Sequence, residues 1–108
     1  SAIGNYSHAA GLYTVANKDY QFVAGKYNLI DDDASSSYGT YAFVVGNGTN
    51  NTKRSNAFTV DWDGNAWFAG KVSANTPENN EDLTTKEYVD GVKNTVGQAI
   101  AEVQVSLN

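Results

Sequence analysis

The sequence predicts a mainly β chain ending in a helix: a narrow β-roll or solenoid, then a β-hairpin region, then a short coiled coil. Three observations carry this expectation. Residues 2–30 repeat every seven positions, an Asp-Gly pair sits between two β-favouring runs, and the C-terminal stretch spaces its apolar residues alternately by three and four. The boundaries that follow are 1–30 for the heptapeptide-repeat β-roll, 31–72 for the strand and hairpin region, 73–83 for a linker and 84–108 for the coiled-coil helix.

In register the repeat reads AIGNYSH, AAGLYTV, ANKDYQF, VAGKYNL, and Ile30 opens a fifth unit that breaks off at Asp31. The fifth slot is Tyr6, Tyr13, Tyr20 and Tyr27, and the first holds Ala2, Ala9, Ala16, Val23 and Ile30. Gly4, Gly11 and Gly25 fill the third slot, with Lys18 as the departure. A coiled coil needs good helix formers between its apolar positions, and these units instead carry Gly, Asn, Thr and Tyr. Short apolar runs such as Phe22-Val23-Ala24 each end near a Gly, which is a strand and a turn stacked repeatedly. Small first-slot residues imply a close backbone neighbour, and Gly at the turn permits positive φ. At Lys18 the expectation is that Asn17 takes the left-handed conformation instead. The spacing also predicts one tyrosine column, which either packs the solenoid or stacks on sugars.

Composition narrows the function classes. The 108 residues include no Cys and no Met, so neither a disulfide framework nor a thiolate metal site is available. The chain starts at Ser1 within the repeat pattern and reads as an excerpt of a longer polypeptide. A net charge of −5, with no basic cluster beyond Lys53-Arg54, argues against nucleic acid. No apolar run approaches a membrane span, so no membrane insertion is expected.

Asp31-Asp32-Asp33 and the serines that follow read as an exposed polar loop; three adjacent carboxylates suit Ca²⁺, but no ligand spacing supports an ion there. Tyr41 to Val45 reads as a strand, and residues 49–56 as a loop. The run from Phe58 to Gly70 then holds Asp63-Gly64, the signal of a two-residue hairpin turn. That turn pairs Val60 with Trp67 and Phe58 with Ala69, placing Phe58, Val60, Trp62, Trp67 and Ala69 on one face with Asn65. Asp61-Trp62-Asp63-Gly64-Asn65 superficially resembles a calcium loop, yet its Gly is misplaced and no bidentate Glu follows. Asp61 and Asp63 also share the i, i+2 spacing of a glycosidase pair, and a turn Asp beside Gly needs no such role. No catalytic residue, metal ligand or cofactor is therefore expected.

Thr84 and Glu87 have capping-box spacing, and Leu83 is placed to staple onto Tyr88, so a helix should start there. Its seam is Val89, Val92, Val96, Ala99 and Val103. Gly91 and Gly97 weaken it by roughly 1 kcal/mol each, so the helix requires identical partners.

Two resemblances converge on these motifs. The opening units, with Ala-Gly pairs around Ala10-Gly11 and Ala24-Gly25, resemble head repeats of trimeric autotransporter adhesins. Val45 to Thr49 with Arg54 to Gly70 is similar to a block in tail-fibre and minor structural proteins of phages and prophages, mainly of Gram-positive hosts. Leu83-Thr84-Thr85-Lys86-Glu87-Tyr88-Val89-Asp90 resembles the junction before coiled coils in phage fibres. These resemblances imply a parallel homotrimer, located on the virion, that presents or connects a host-surface binding head. The implied partners are other virion structural proteins and a bacterial cell-surface glycan. The alternative is a fragment of a bacterial trimeric adhesin head and stalk. A glycan-cleaving enzyme is disfavoured: one His, no thiol and no converging acid pair.

Overall fold

A computed structural model of the chain describes residues 1–107. It is mainly β: a five-stranded mixed sheet and one C-terminal helix. The chain divides into two units, Ser1–Lys71 and a second beginning at Val72. Strands β1 (His8–Ala9), β2 (Phe22–Lys26), β3 (Tyr41–Asn47), β4 (Asn56–Asp61) and β5 (Ala66–Phe68) are adjacent in sequence order. The pairs β1–β2 and β2–β3 are parallel, whereas β3–β4 and β4–β5 are antiparallel. One sheet thus runs through both the repeat segment and the 31–72 region.

The repeat stacks every fourteen residues, not every seven. Ala2 bridges Ala16, His8 pairs with Phe22, Ala9 with Val23, and Leu12 bridges Lys26, all parallel. Parallel neighbours thus lie two heptads apart, so one circuit of the chain takes fourteen residues. From Phe22 to its partner Phe43 the circuit lengthens by one heptad, and the extra residues fall in the Asp31–Thr40 loop.

The interior of this unit is small and partly polar. Ala16, Val23 and Val44 are its buried hydrophobics, and Thr14, Gln21 and Asn28 are also buried. Those three polar residues occupy the sixth repeat slot, and the side chains of Gln21 and Asn28 bond to neighbouring segments. Asn28 Oδ1 accepts the Val15 N–H at 2.8 Å while its Nδ2 donates to the Val15 carbonyl at 3.0 Å. One step further, Asn56 Oδ1 accepts the Leu29 N–H at 2.9 Å. Side-chain amides replace β pairing outside the strands, satisfying backbone groups that burial would otherwise leave unpaired.

Close approach explains the glycine slot better than φ does. A Cβ on Gly4 would sit 2.1 Å from the Lys18 carbonyl oxygen, although Gly4 itself has no positive φ. Gly11 and Gly25 meet both demands, with φ of 112° and 96° and neighbouring carbonyl oxygens at 1.9 and 2.3 Å from their notional Cβ atoms. The left-handed residues of the repeat are otherwise the tyrosines: Tyr6, Tyr13, Tyr20 and Tyr27 have φ of 55°, 50°, 64° and 43°. Neither Asn17 nor Lys18 is left-handed, so the expected exchange at that site does not occur. Lys18 is tolerated because Gly39 stands beside it: a Cβ there would lie 2.7 Å from Lys18 Cγ.

Asp31 is buried, contrary to the expectation of a solvated triplet. Its Oδ2 accepts from the Thr40 and Tyr41 N–H groups at 2.8 and 3.0 Å and from Gln21 Nε2 at 3.2 Å. Its Oδ1 accepts the Asp33 N–H at 3.1 Å. One carboxylate therefore ties the loop to the start of β3.

The hairpin differs from the expected register by one residue. Val60 pairs with Ala66, Thr59 with Trp67 and Phe58 with Phe68. Asp61 sets this: its Oδ1 accepts the N–H groups of Asp63 and Asn65 at 3.0 and 2.9 Å, and Gly64, at φ 85°, donates to the Asp61 carbonyl. The result is a three-residue loop, in which a left-handed Gly follows a turn. A one-residue slip inverts the faces, so Trp67 lies opposite Thr59, not beside Phe58 and Val60.

Helix α1 spans Lys86–Leu107; Asn108, the last residue of the expected helix, lies outside the described residues. Its cap is Thr85, whose Oγ1 accepts the Tyr88 N–H at 3.2 Å. Thr84 and Glu87 consequently do not form the expected capping box, and the Leu83–Tyr88 staple falls out of register. Lys86 pairs with Asp90 at 2.6 Å on the exposed surface. No residue of α1 is buried in the single chain, and among the described residues no helix is long and apolar enough to cross a membrane.

Candidate binding surfaces

Parallel pairing at fourteen-residue spacing brings side chains of the same slot directly together, so like residues stack. The tyrosines form two stacks instead of one column. Tyr6 lies on Tyr20 with centroids 5.9 Å apart, and Tyr13 on Tyr27 at 5.3 Å, the rings of both pairs nearly parallel. The sequence spacing identified the residues, but not that alternate tyrosines belong to different stacks. Arg54 closes the second stack, its guanidinium 5.7 Å from the Tyr27 ring centre. Its Nη1 also donates to the Tyr13 and Asn28 carbonyls, each at 3.1 Å. Nothing in the sequence around Lys53-Arg54 signals that reach.

A second row crosses the sheet. His8, Phe22, Phe43, Phe58 and Phe68 stand on one face of the five strands, with successive centroids 4.4, 5.2, 5.9 and 4.6 Å apart. Of the expected aromatic face only Phe58 and Val60 belong here. The opposite face carries Ala9, Val23, Val44, Thr59 and Trp67. Phe22 and Phe68 remain 39% and 48% exposed, so this row is an uncovered apolar stripe.

Trp62 stands apart from both faces. Its Nε1 donates to the Tyr38 carbonyl at 2.8 Å, joining the hairpin turn to the Asp31–Thr40 loop. Asp63 and Gly64 sit at the tip of that turn. On α1, Val89, Val92, Val96 and Val103, the expected seam, are all about half exposed, and Ala99 is exposed with them.

The carboxylates near the turn are held in the ionised form. Hydrogen bonds from the Ser35 hydroxyl and N–H, then from Thr40, lower the Asp33 pKa to about 2. The Asn65 N–H, foremost among several donors, lowers that of Asp61. In the second unit, the Asn79 and Glu78 N–H groups do the same for Asp82. Among the described residues no group of three or more His, Cys, Asp or Glu is placed to hold a metal ion. Comparison with known protein families, curated proteins and solved structures finds no match for this chain.

Proposed function

We propose that the chain is a trimeric structural and attachment module of a phage fibre or virion appendage. The observation that carries the reading is how little apolar surface one chain can cover. Its buried hydrophobics are Ala16, Val23 and Val44, while the row through Phe22 and Phe68 and the seam from Val89 to Val103 stay open. Helices in proteins draw most of their stability from tertiary packing, and the two glycines and β-branched residues of α1 weaken it further when that packing is missing. Three copies in parallel would give the seam a coiled-coil partner and the stripe a neighbour, completing a β-roll head on a helical stalk.

The biological setting rests on the resemblance of the Val45–Gly70 block and the Leu83–Asp90 junction to phage fibre proteins. The junction falls at the start of α1, where a stalk would begin. Function then follows from avidity: three weak sites held rigidly together raise the effective concentration at a cell surface. Light scattering over a dilution series tests the assembly. The expected mass is three times the 11.6 kDa of the chain, independent of concentration; a cooperatively folded single chain at micromolar concentration would overturn it.

A further inference from the structure

The loop at residues 35–40 and the hairpin turn at residues 61–63 face each other across an open cleft of about 360 Å³, a volume within the range of small-molecule sites. Its walls combine the rings of Tyr38 and Trp62, the hydroxyls of Ser35 and Thr40, and the carboxylates of Asp61 and Asp63. We infer that this cleft binds a neutral or amino pyranose, with Trp62 and Tyr38 as the platform and Asp63 as the acceptor. The inference deepens the attachment reading and takes only its biological setting from it.

Three features support the assignment. The aromatic pair is fixed without being covered. Trp62 is anchored by its bond to the Tyr38 carbonyl, the rings meet edge to face at 5.7 Å, and they stay 41% and 46% exposed. An immobilised ring loses little freedom on binding, and its faces suit the C–H surface of a sugar. Asp33 and Asp61 spend their oxygens on their own loops, fixing both rims. The Asp63 carboxylate, by contrast, makes no hydrogen bond among the described residues, so both oxygens are available to sugar hydroxyls. Finally, the charged residues that line the cleft have one sign. Asp61 and Asp63 face it, while Lys18, beside Gly39, offsets Asp33 behind it, so uronates and phosphorylated sugars are disfavoured and an amino sugar is favoured.

The test is a titration of the ¹⁵N-labelled full chain with chitotriose, its de-acetylated glucosamine counterpart and trigalacturonate. Two indole N–H signals report, Trp62 in the cleft and Trp67 on β5, assigned by their loss in W62F and W67F. Saturable movement of the Trp62 signal with the first two sugars, and none with the uronate, is expected. W62A should weaken binding about tenfold and D63A by a similar factor. Should W62A disturb the strand amides, D63A decides, because Asp63 is exposed and its side chain holds nothing in place. A static Trp62 signal, unchanged binding by D63A, or shifts gathered on the tyrosine stacks would each overturn the assignment. Solution mass is read separately, so failure here leaves the trimer standing, and the converse holds.

Discussion

Asn28 pairs with Val15 as a strand residue would, through its side chain: Oδ1 takes the Val15 N–H at 2.8 Å and Nδ2 reaches the Val15 carbonyl at 3.0 Å. Both residues lie outside the strands, and Asn28 is 1% exposed. The polar sixth repeat slot therefore acts as internal mortar at Asn28 and, through its bonds to Asp31 and the Tyr41 carbonyl, at Gln21.

Replacing Asn28 with Ala should accordingly destabilise the sheet unit well beyond a surface change. The Val15 N–H and carbonyl would lose their partner, at about 1–3 kcal/mol for each group left unsatisfied. Denaturant unfolding followed by tryptophan fluorescence measures this. A loss below about 0.5 kcal/mol, the range of surface substitutions, would show that water replaces the amide freely.

At Tyr20 the usual ranking of Ala and Gly should invert. Tyr20 has φ 64°, a region that resists any Cβ. Tyr20→Ala loses the stack on Tyr6 and keeps the backbone strain, whereas Tyr20→Gly loses the stack and relieves it. The Gly variant should be the more stable of the two by about 1 kcal/mol. Thermal melts of the two variants side by side decide it, and an Ala variant equal to or better than Gly would contradict the left-handed assignment.

Why some of this was legible in the sequence and some not follows from the residues themselves. Tyrosine every seventh position marks the repeat unambiguously, but a period cannot say how many units close a circuit. Ala2 meeting Ala16, not Ala9, is decided by the backbone path. Lys18 in a glycine slot looks like a defect until Gly39, distant in sequence, is seen making room for its side chain. Asp63-Gly64 signals a hairpin under either register; the Asp61 side chain, accepting from Asp63 and Asn65, selects the longer loop and turns Trp67 to the other face. Buried polar residues such as Gln21 and Asp31 are the hardest to foresee, because polarity alone reads as a turn. The helix was legible from the three-and-four spacing of its apolar residues, with its cap displaced by one residue to Thr85.

Asp33 should make the loop clasp sensitive to acid. Its folded pKa, about 2, lies below the ordinary 3.8 because Ser35 and Thr40 donate to the charged form. A depressed folded pKa means the contribution is fully present above the unfolded value and is lost as pH falls through the folded one. The clasp should therefore hold at pH 5 and weaken progressively between about 4 and 2. The Ser35 amide shift, followed by NMR, should titrate with a midpoint near 2, and Asp33→Asn should abolish that transition. A midpoint at the unfolded value would show that the Ser35 and Thr40 bonds do not form in solution.

In the trimer proposed above, the helix and the aromatic row would make separable demands on assembly. Val96 lies mid-seam on a helix with no buried residue, so Val96→Asp would place a charge between three copies if they associate there. Helical circular dichroism should then fall sharply while the amide spectrum of residues 1–71 persists, since that unit has its own hydrogen-bonded sheet. Phe22→Asp, in the aromatic row, should act on the other contact and leave helicity largely intact. Combining the two should reduce the mass to the 11.6 kDa of one chain. If Val96→Asp keeps full helicity, the seam is not a packed interface, because an unpartnered helix with Gly91 and Gly97 gains nothing from Val96 that Asp would remove.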